Sequence, residues 1–174
     1  YNRAIDQYNS SLKIFEELND KNGIASTLNL IGIIYNNWEE YKLGLVYFRK
    51  SLKIYREISD KHQREIGFAY GNIATSYSYL QKNDTALMYY AKEIKIIEKY
   101  GNEMDLGNPY FNIGTIYNTG YQLDSALFYF YKSMEIYRKY GDQRGECSCL
   151  YNIGNVYLTQ GKVNESVKYN TKAL

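Results

Sequence analysis

Three asparagines, Asn72, Asn112 and Asn152, stand 40 residues apart, each two positions ahead of a small residue, Ala74, Gly114 or Gly154. An asparagine carboxamide offers N–H donors and a carbonyl acceptor. A row of them can therefore satisfy the N–H and C=O groups of an extended peptide without reading its side chains. Asn is a poor residue inside a helix, because its amide competes for backbone hydrogen bonds, so its return in register asks for a reason. Two reasons stand side by side: a binding row, or an Asn that bonds a neighbouring helix or is simply copied with its repeat. Other chemistry has little to work with. His62 is the only histidine and falls in a joint, where a solvated loop residue is expected. A zinc-type site would need further ligands. No Gly-rich phosphate loop and no Ser or Cys with an evident base can be found. Cys147 and Cys149 lie two apart on a predicted helix, hence about 200° apart around it, where they can neither pair nor share a metal. They are expected to be small buried or half-buried residues. We expect no catalysis, no metal and no cofactor.

The elements that carry these residues follow from a period of about 40. Tyr110-Phe111-Asn112-Ile113-Gly114-Thr115-Ile116-Tyr117 recurs around Gly154 and Ala74, and more loosely around Gly32, which precedes Ala74 by 42. A fixed period of this size marks a stacked repeat array. A second helical pattern lies between these segments. Ala4, Ile5, Tyr8, Leu12 and Phe15 recur at spacings of three and four, and the pattern returns from Gly44, from Ala86, from Ala126 and, cut short, from Ser166. We name the first set A helices (about 23–37, 64–80, 105–119 and 145–160) and the second B helices. Each small residue of an A helix precedes one of a B helix by twelve: Gly32 and Gly44, Ala74 and Ala86, Gly114 and Ala126, Gly154 and Ser166. Glycine inside a helix costs about 1 kcal/mol against Ala, a loss that close helix–helix approach can offset. Pro109 falls near the first turn of the third A helix, where a missing N–H does least harm. Gly101 and Gly141 suit left-handed caps after B helices, with Asn or Asp capping the next helix. The joint from Ser59 to Arg64 has no glycine and absorbs two extra residues, so the second A helix is expected to begin early.

The 174 residues suffice for one domain, and 45% hydrophobic content suits a folded chain. A formal net charge of +2 argues against nucleic acid as a partner. No apolar run is long enough to span a bilayer, and we expect no direct membrane contact. The compartment stays open. The expected organisation is a single array over 1–174: an orphan B helix at 1–20, repeats at 23–60, 62–100 and 104–140, and a truncated repeat at 143–174. Opening inside a repeat, with no sign of polar caps, the sequence is expected to be part of a longer chain.

These residues resemble the tetratricopeptide repeat, whose pattern is a large residue, Leu-Gly and Tyr on helix A, then Ala, an aromatic and Ala on helix B. The third copy supplies Tyr110, Ile113, Gly114, Tyr117, Ala126, Phe130 and Ser133, and the other three follow in register. The copies depart from the pattern at Glu93 and Asn170, in a period longer than the common one, and in lacking the proline that usually ends helix B. They are similar to the longer subclass of kinesin light chains, cell-polarity adaptors and bacterial peptide-pheromone receptors. The wording also resembles arrays carried by bacterial sensor kinases and transcription regulators. The resemblance implies an all-α, right-handed superhelical solenoid of antiparallel helix pairs, about nine helices in all.

It also implies that the A helices line a concave face. The side chains expected there are Asn29, Ile33 and Asn36; Asn72, Thr75 and Tyr79; Phe111, Asn112 and Thr115; and Tyr151, Asn152 and Asn155. Asparagines in these positions commonly hold a peptide backbone in the resembled subclass. The cores of all four A helices carry no Lys, Arg, Asp or Glu. The family's carboxylate clamp is thus missing, and a neutral or mixed segment is the expected ligand rather than an acidic C-terminal tail. The charges gather on B helices, among them Arg49, Lys53, Arg56 and Lys92, where a solvated outer face is expected. The expected function is a protein- or peptide-binding module, the sensory or scaffold segment of a larger bacterial regulator. The alternative is structural self-association, with a homo-oligomer formed through exposed array ends.

Overall fold

The computed structural model describes residues 2–58 and 60–173. Among them the chain is all-α, with nine α-helices: α1 Asn2–Glu17, α2 Lys21–Asn37, α3 Tyr41–Ile58, α4 Gln63–Tyr79, α5 Asn83–Tyr100, α6 Gly107–Thr119, α7 Leu123–Tyr140, α8 Gln143–Thr159 and α9 Val163–Lys172. The even-numbered helices are the A helices. Two compact units divide at Tyr100 and Gly101. Within each, helices consecutive in sequence pack side by side, and A helix touches next A helix, α2 against α4 and α6 against α8. This is the antiparallel solenoid the repeats imply. A core of Ala25, Leu45, Phe48, Tyr55, Ile66 and Ile73 holds the first unit. Ala126, Phe130, Tyr137, Cys149 and Ile153 are central to the second.

The helical glycines are slots for B-helix side chains. A Cβ added to Gly32 would stand 2.6 Å from Phe48 Cε1, and one on Gly114 would stand 2.7 Å from Phe130 Cδ1. A Cβ on Gly44 would meet Asn36 Oδ1 at 2.2 Å and the carbonyl of Gly32 at 3.1 Å. A tyrosine three residues after each A-helix small residue stacks on a B-helix tyrosine twelve residues later. The pairs are Tyr35–Tyr47, Tyr77–Tyr89, Tyr117–Tyr129 and Tyr157–Tyr169, with centroids 5.2, 5.7, 5.5 and 5.4 Å apart. Each stack adds about 0.5–1.5 kcal/mol beyond the area it buries, and together they explain why the sequence is so rich in tyrosine.

Every A-to-B joint has the same form. The amides of Glu40, Lys82, Gln122 and Lys162 donate to the carbonyls of Tyr35, Tyr77, Tyr117 and Tyr157, each at 2.9 Å. The residue before each of these amides is left-handed: Glu39, Gln81, Tyr121 and Gly161. These are Schellman caps, which close the last carbonyls of a helix. The expected glycine caps after B helices appear only in part. Gly141 is left-handed, and Asp142 caps the amide of Gly145 at 2.9 Å. Asn19 takes the left-handed place ahead of α2, where Asp20 caps Gly23 at 3.0 Å. Gly101 is not left-handed; a 3-10 turn, Glu103–Leu106, with a capping box from Asn102 and Asp105, leads into α6 instead. Pro109, the third residue of α6, has no N–H to bond back into that segment, so the α-helix starts late. The second A helix does not begin early. Both α2 and α4 start eleven residues before their small residue, and a 3-10 turn, Asp60–His62, precedes α4. His62 is half-buried, its ring 5.7 Å from that of Tyr55, where a solvated residue was expected.

Candidate functional site

In the first unit, α2 and α4 stand side by side and bring five of the expected residues to one cleft of 380 Å³: Ile33, Asn36, Asn72, Thr75 and Tyr79. Asn37, Glu39 and Tyr41 complete its wall. The helices are tied across it by their own polar side chains. Asn72 Nδ2 donates to Asn29 Oδ1 at 3.0 Å, and Asn36 Nδ2 donates to Ser76 Oγ at 2.9 Å. Thr75 Oγ1 and the Tyr90 hydroxyl lie 2.9 Å apart. Asn29 and Asn72 therefore do bond between helices, one of the two roles open to them from sequence. That bond uses one donor of Asn72; its second donor and its carbonyl remain, in an orientation the bond fixes. At the mouth of the cleft Tyr79, 58% exposed, stacks on Tyr41 with centroids 4.8 Å apart. Lost hydration, then the Glu39 carboxylate and Tyr79, raise the pKa of the Tyr41 hydroxyl. The single charged side chain lining the cleft is that of Glu39, and it is negative. The arrangement supplies amide donors and acceptors, an aliphatic floor and an aromatic edge, and it holds no cation for a terminal carboxylate.

In the second unit the expected residues are spread out. A cleft of 240 Å³ takes in Phe111, and a larger one of 690 Å³ takes in Tyr151; Asn112, Thr115, Asn152 and Asn155 line neither. Phe111 leans on Phe130 at 5.6 Å and so belongs partly to the core. Thr115 Oγ1 donates to the carbonyl of Phe111 at 3.1 Å, and Asn152 Nδ2 to that of Ser148 at 2.8 Å, both one turn back on their own helices. Asn112 and Asn155 are half-buried and Tyr151 is exposed. Sequence reasoning missed Glu39 and Tyr41. A signal existed for Tyr41: it lies 38 residues before Tyr79, close to one repeat, which places the two rings at neighbouring pair ends.

The site is thus an amide-lined surface with one acidic residue and no basic one, on stacked helix pairs. The chain belongs to the tetratricopeptide repeat family: models of that repeat match residues 65–139 and 105–174, and another matches 25–58. No curated protein matches the chain by sequence. Among solved structures it is similar to BtubC (BKLC) from P. vanneervenii, at 20% identity and a TM-score of 0.86 over 99% of this chain and 71% of that one. It is also similar to aspartyl phosphate phosphatase F from Bacillus subtilis, at 18% identity and a TM-score of 0.90 over 99% of this chain and 45% of that one. A third is the Rap conjugation gene regulator of plasmid pLS20, in complex with the Phr* peptide, at 15% identity and a TM-score of 0.75 over 87% and 42%. The chain spans less than half the length of the last two. Among the described residues no helix is long and apolar enough to cross a membrane.

Proposed function

We propose that the chain is a protein- or peptide-binding module whose A-helix face holds an extended segment by its backbone, as the sensory or scaffold part of a larger bacterial regulator. The cleft of the first unit carries this reading. The amides of Asn36 and Asn72 converge there beside Thr75 and an exposed tyrosine stack, with no basic residue in the lining. The pLS20 regulator, similar in fold, was solved with a peptide, which supports the same use of this surface. The expected residues of the second unit, Phe111, Asn112, Thr115, Tyr151, Asn152 and Asn155, are proposed to hold a segment on that unit's own A helices. Glu39 adds a preference against acids, so amidating a ligand's C-terminus is expected to keep its affinity or raise it.

An array of neutral, C-terminally amidated peptides probed with the whole chain tests this. Binders are expected, and Asn36→Ala with Asn72→Ala should weaken them about thirtyfold, at roughly 1 kcal/mol for each hydrogen bond lost. Binding that survives the double substitution, or that requires a free terminal carboxylate, would falsify the reading.

A further inference from the structure

On the first unit, away from the amide cleft, α3 lays Arg49, Lys53 and Arg56 along one face, a row of about 10 Å at 1.5 Å per residue. Arg49, Leu52, Lys53, Arg56, Glu57 and Tyr89 line a cleft of 420 Å³. Its floor is aromatic: Tyr77 stacks on Tyr89 at 5.7 Å, and Tyr70 leans on Tyr89 at 5.8 Å. Three cations contact that floor. Arg49 Nη2 donates to the Tyr77 hydroxyl and Arg56 Nη2 to the Tyr70 hydroxyl. Lys92 of α5 sits over the Tyr89 ring at 4.9 Å. Sequence reading treated these charges as a solvated outer face. Fixed guanidinium groups are something more: they have already lost the side-chain freedom that binding would otherwise cost.

The other unit shows what the same positions do when they are purely structural. Arg138 stands where Arg56 does, twelve residues after the small residue of its B helix, and Glu146 holds it with Nη2 and Oε1 2.8 Å apart. The position matching Glu146 in α4 is Ile66, buried in the core. Tyr131 stands where Arg49 does, and its hydroxyl lies 3.1 Å from that of Tyr157 and 2.7 Å from that of Tyr169. The second unit thus closes these positions with a carboxylate and a neutral hydroxyl cluster. The first has cations in both, each bonded to a tyrosine hydroxyl.

We propose that this cleft of the first unit is a second binding site, for an acidic protein segment that places two or three carboxylates along α3. Each guanidinium keeps donors beyond the one given to tyrosine, and a carboxylate accepts them in pairs. The aromatic floor takes the segment's apolar parts. Nucleic acid fits less well. Four cations fall short of the six to ten or so phosphate contacts that hold a typical duplex binder.

The test uses the whole chain with fluorescein-labelled oligo-glutamate, and oligo-thymidylate of equal charge beside it. Oligo-glutamate should bind at low salt and bind more tightly than oligo-thymidylate. Arg49→Gln with Arg56→Gln should weaken it at least about tenfold, while the helical circular dichroism signal stays and Lys95→Gln, outside the cleft, changes nothing. Should the arginine variant fail to fold, Lys53→Gln with Lys92→Gln must produce a loss of the same sense. Undiminished binding in a folded arginine variant or in the lysine variant, or tighter binding of oligo-thymidylate, overturns the proposal.

Discussion

A methyl group on Gly114 tests the packing that places every other residue. Its carbon would lie 2.7 Å from Phe130 Cδ1 and 2.8 Å from Cε1, and Phe130 is fully buried, so the ring has nowhere to swing. Alanine gains about 1 kcal/mol of helix propensity, and overpacking a closed core costs about 1–3 kcal/mol. Gly114→Ala is therefore expected to destabilise by about 1 kcal/mol, read from the midpoint of urea unfolding at unchanged slope. Phe130→Leu in the same chain should recover part of the loss. A more stable single variant would mean the slot is not closed. The cysteines give a second reading at this scale. Cys149 is buried as expected, whereas Cys147 is exposed where a buried or half-buried residue was expected; their spacing puts them on opposite faces, and only one of the two meets the core. Burial pushes the Cys149 thiol from its ordinary 9.0 up to about 11, against a hydrogen bond to Ser133 that works the other way. The folded form holds this proton more firmly than the unfolded one, so its share of stability is present below about pH 9 and drains away as the pH rises towards 11. In Cys147→Ser protein, alkylation near pH 8 should proceed only as fast as the helices open, while Cys149→Ala protein reacts like a free thiol. Equal rates would sink this. Glu93 was not legible in the same way. It is 6% exposed, and Gly71, 22 residues earlier, makes the room: a Cβ there would meet Glu93 Oε1 at 2.3 Å. No local pattern links such a pair.

At the scale of elements, helix existence was readable from spacing, while the joints were readable only where their residue types announce them. Gly141 announces its left-handed turn; Glu39, Gln81 and Tyr121 do not, although they adopt the same conformation. There the tertiary need for a tight A-to-B joint overrides residue preference, because the small residues of both helices must meet twelve positions apart. The two kinds of glycine separate cleanly. A Cβ on Gly141 would touch nothing within 4 Å, and its φ is +74°. Gly141→Ala thus tests backbone alone and should cost about 1 kcal/mol, measured by thermal unfolding. Gln81→Gly should have the opposite sign and a smaller size, since relief of a left-handed L-residue is partly offset by a freer unfolded chain. If both substitutions destabilise equally, the caps are not where the strain lies.

For the whole molecule, the sequence shows where charge is absent better than where it gathers to a purpose. The uncharged A-helix cores are visible in a linear scan, and the amide cleft sits on two of them. That Asn36, Asn72 and Tyr79 meet follows from repeat stacking, whereas the drift of Asn152 to its own backbone does not. The cationic cleft is hidden for another reason. Arg49 and Arg56 look like any solvated pair until the partners of their counterparts are known, Tyr157 for one and Glu146 for the other. If the amide cleft takes uncharged peptides and the cationic cleft takes acidic ones, salt should separate the two. Between about 50 and 200 mM salt, oligo-glutamate should lose most of its affinity, because every carboxylate contact is screened and displaces counterions. A neutral amidated peptide on the Asn36–Asn72 cleft should lose almost none, since amide hydrogen bonds are not screened at this range. Titrating both probes on one preparation gives two slopes, one steep and one flat. Asn72→Ala is expected to lower affinity for the neutral peptide without altering the steep slope, and Arg56→Gln to lower the steep slope without altering the peptide. Parallel slopes, or a single substitution that moves both, would mean the two surfaces are one site and would remove the basis for treating them apart.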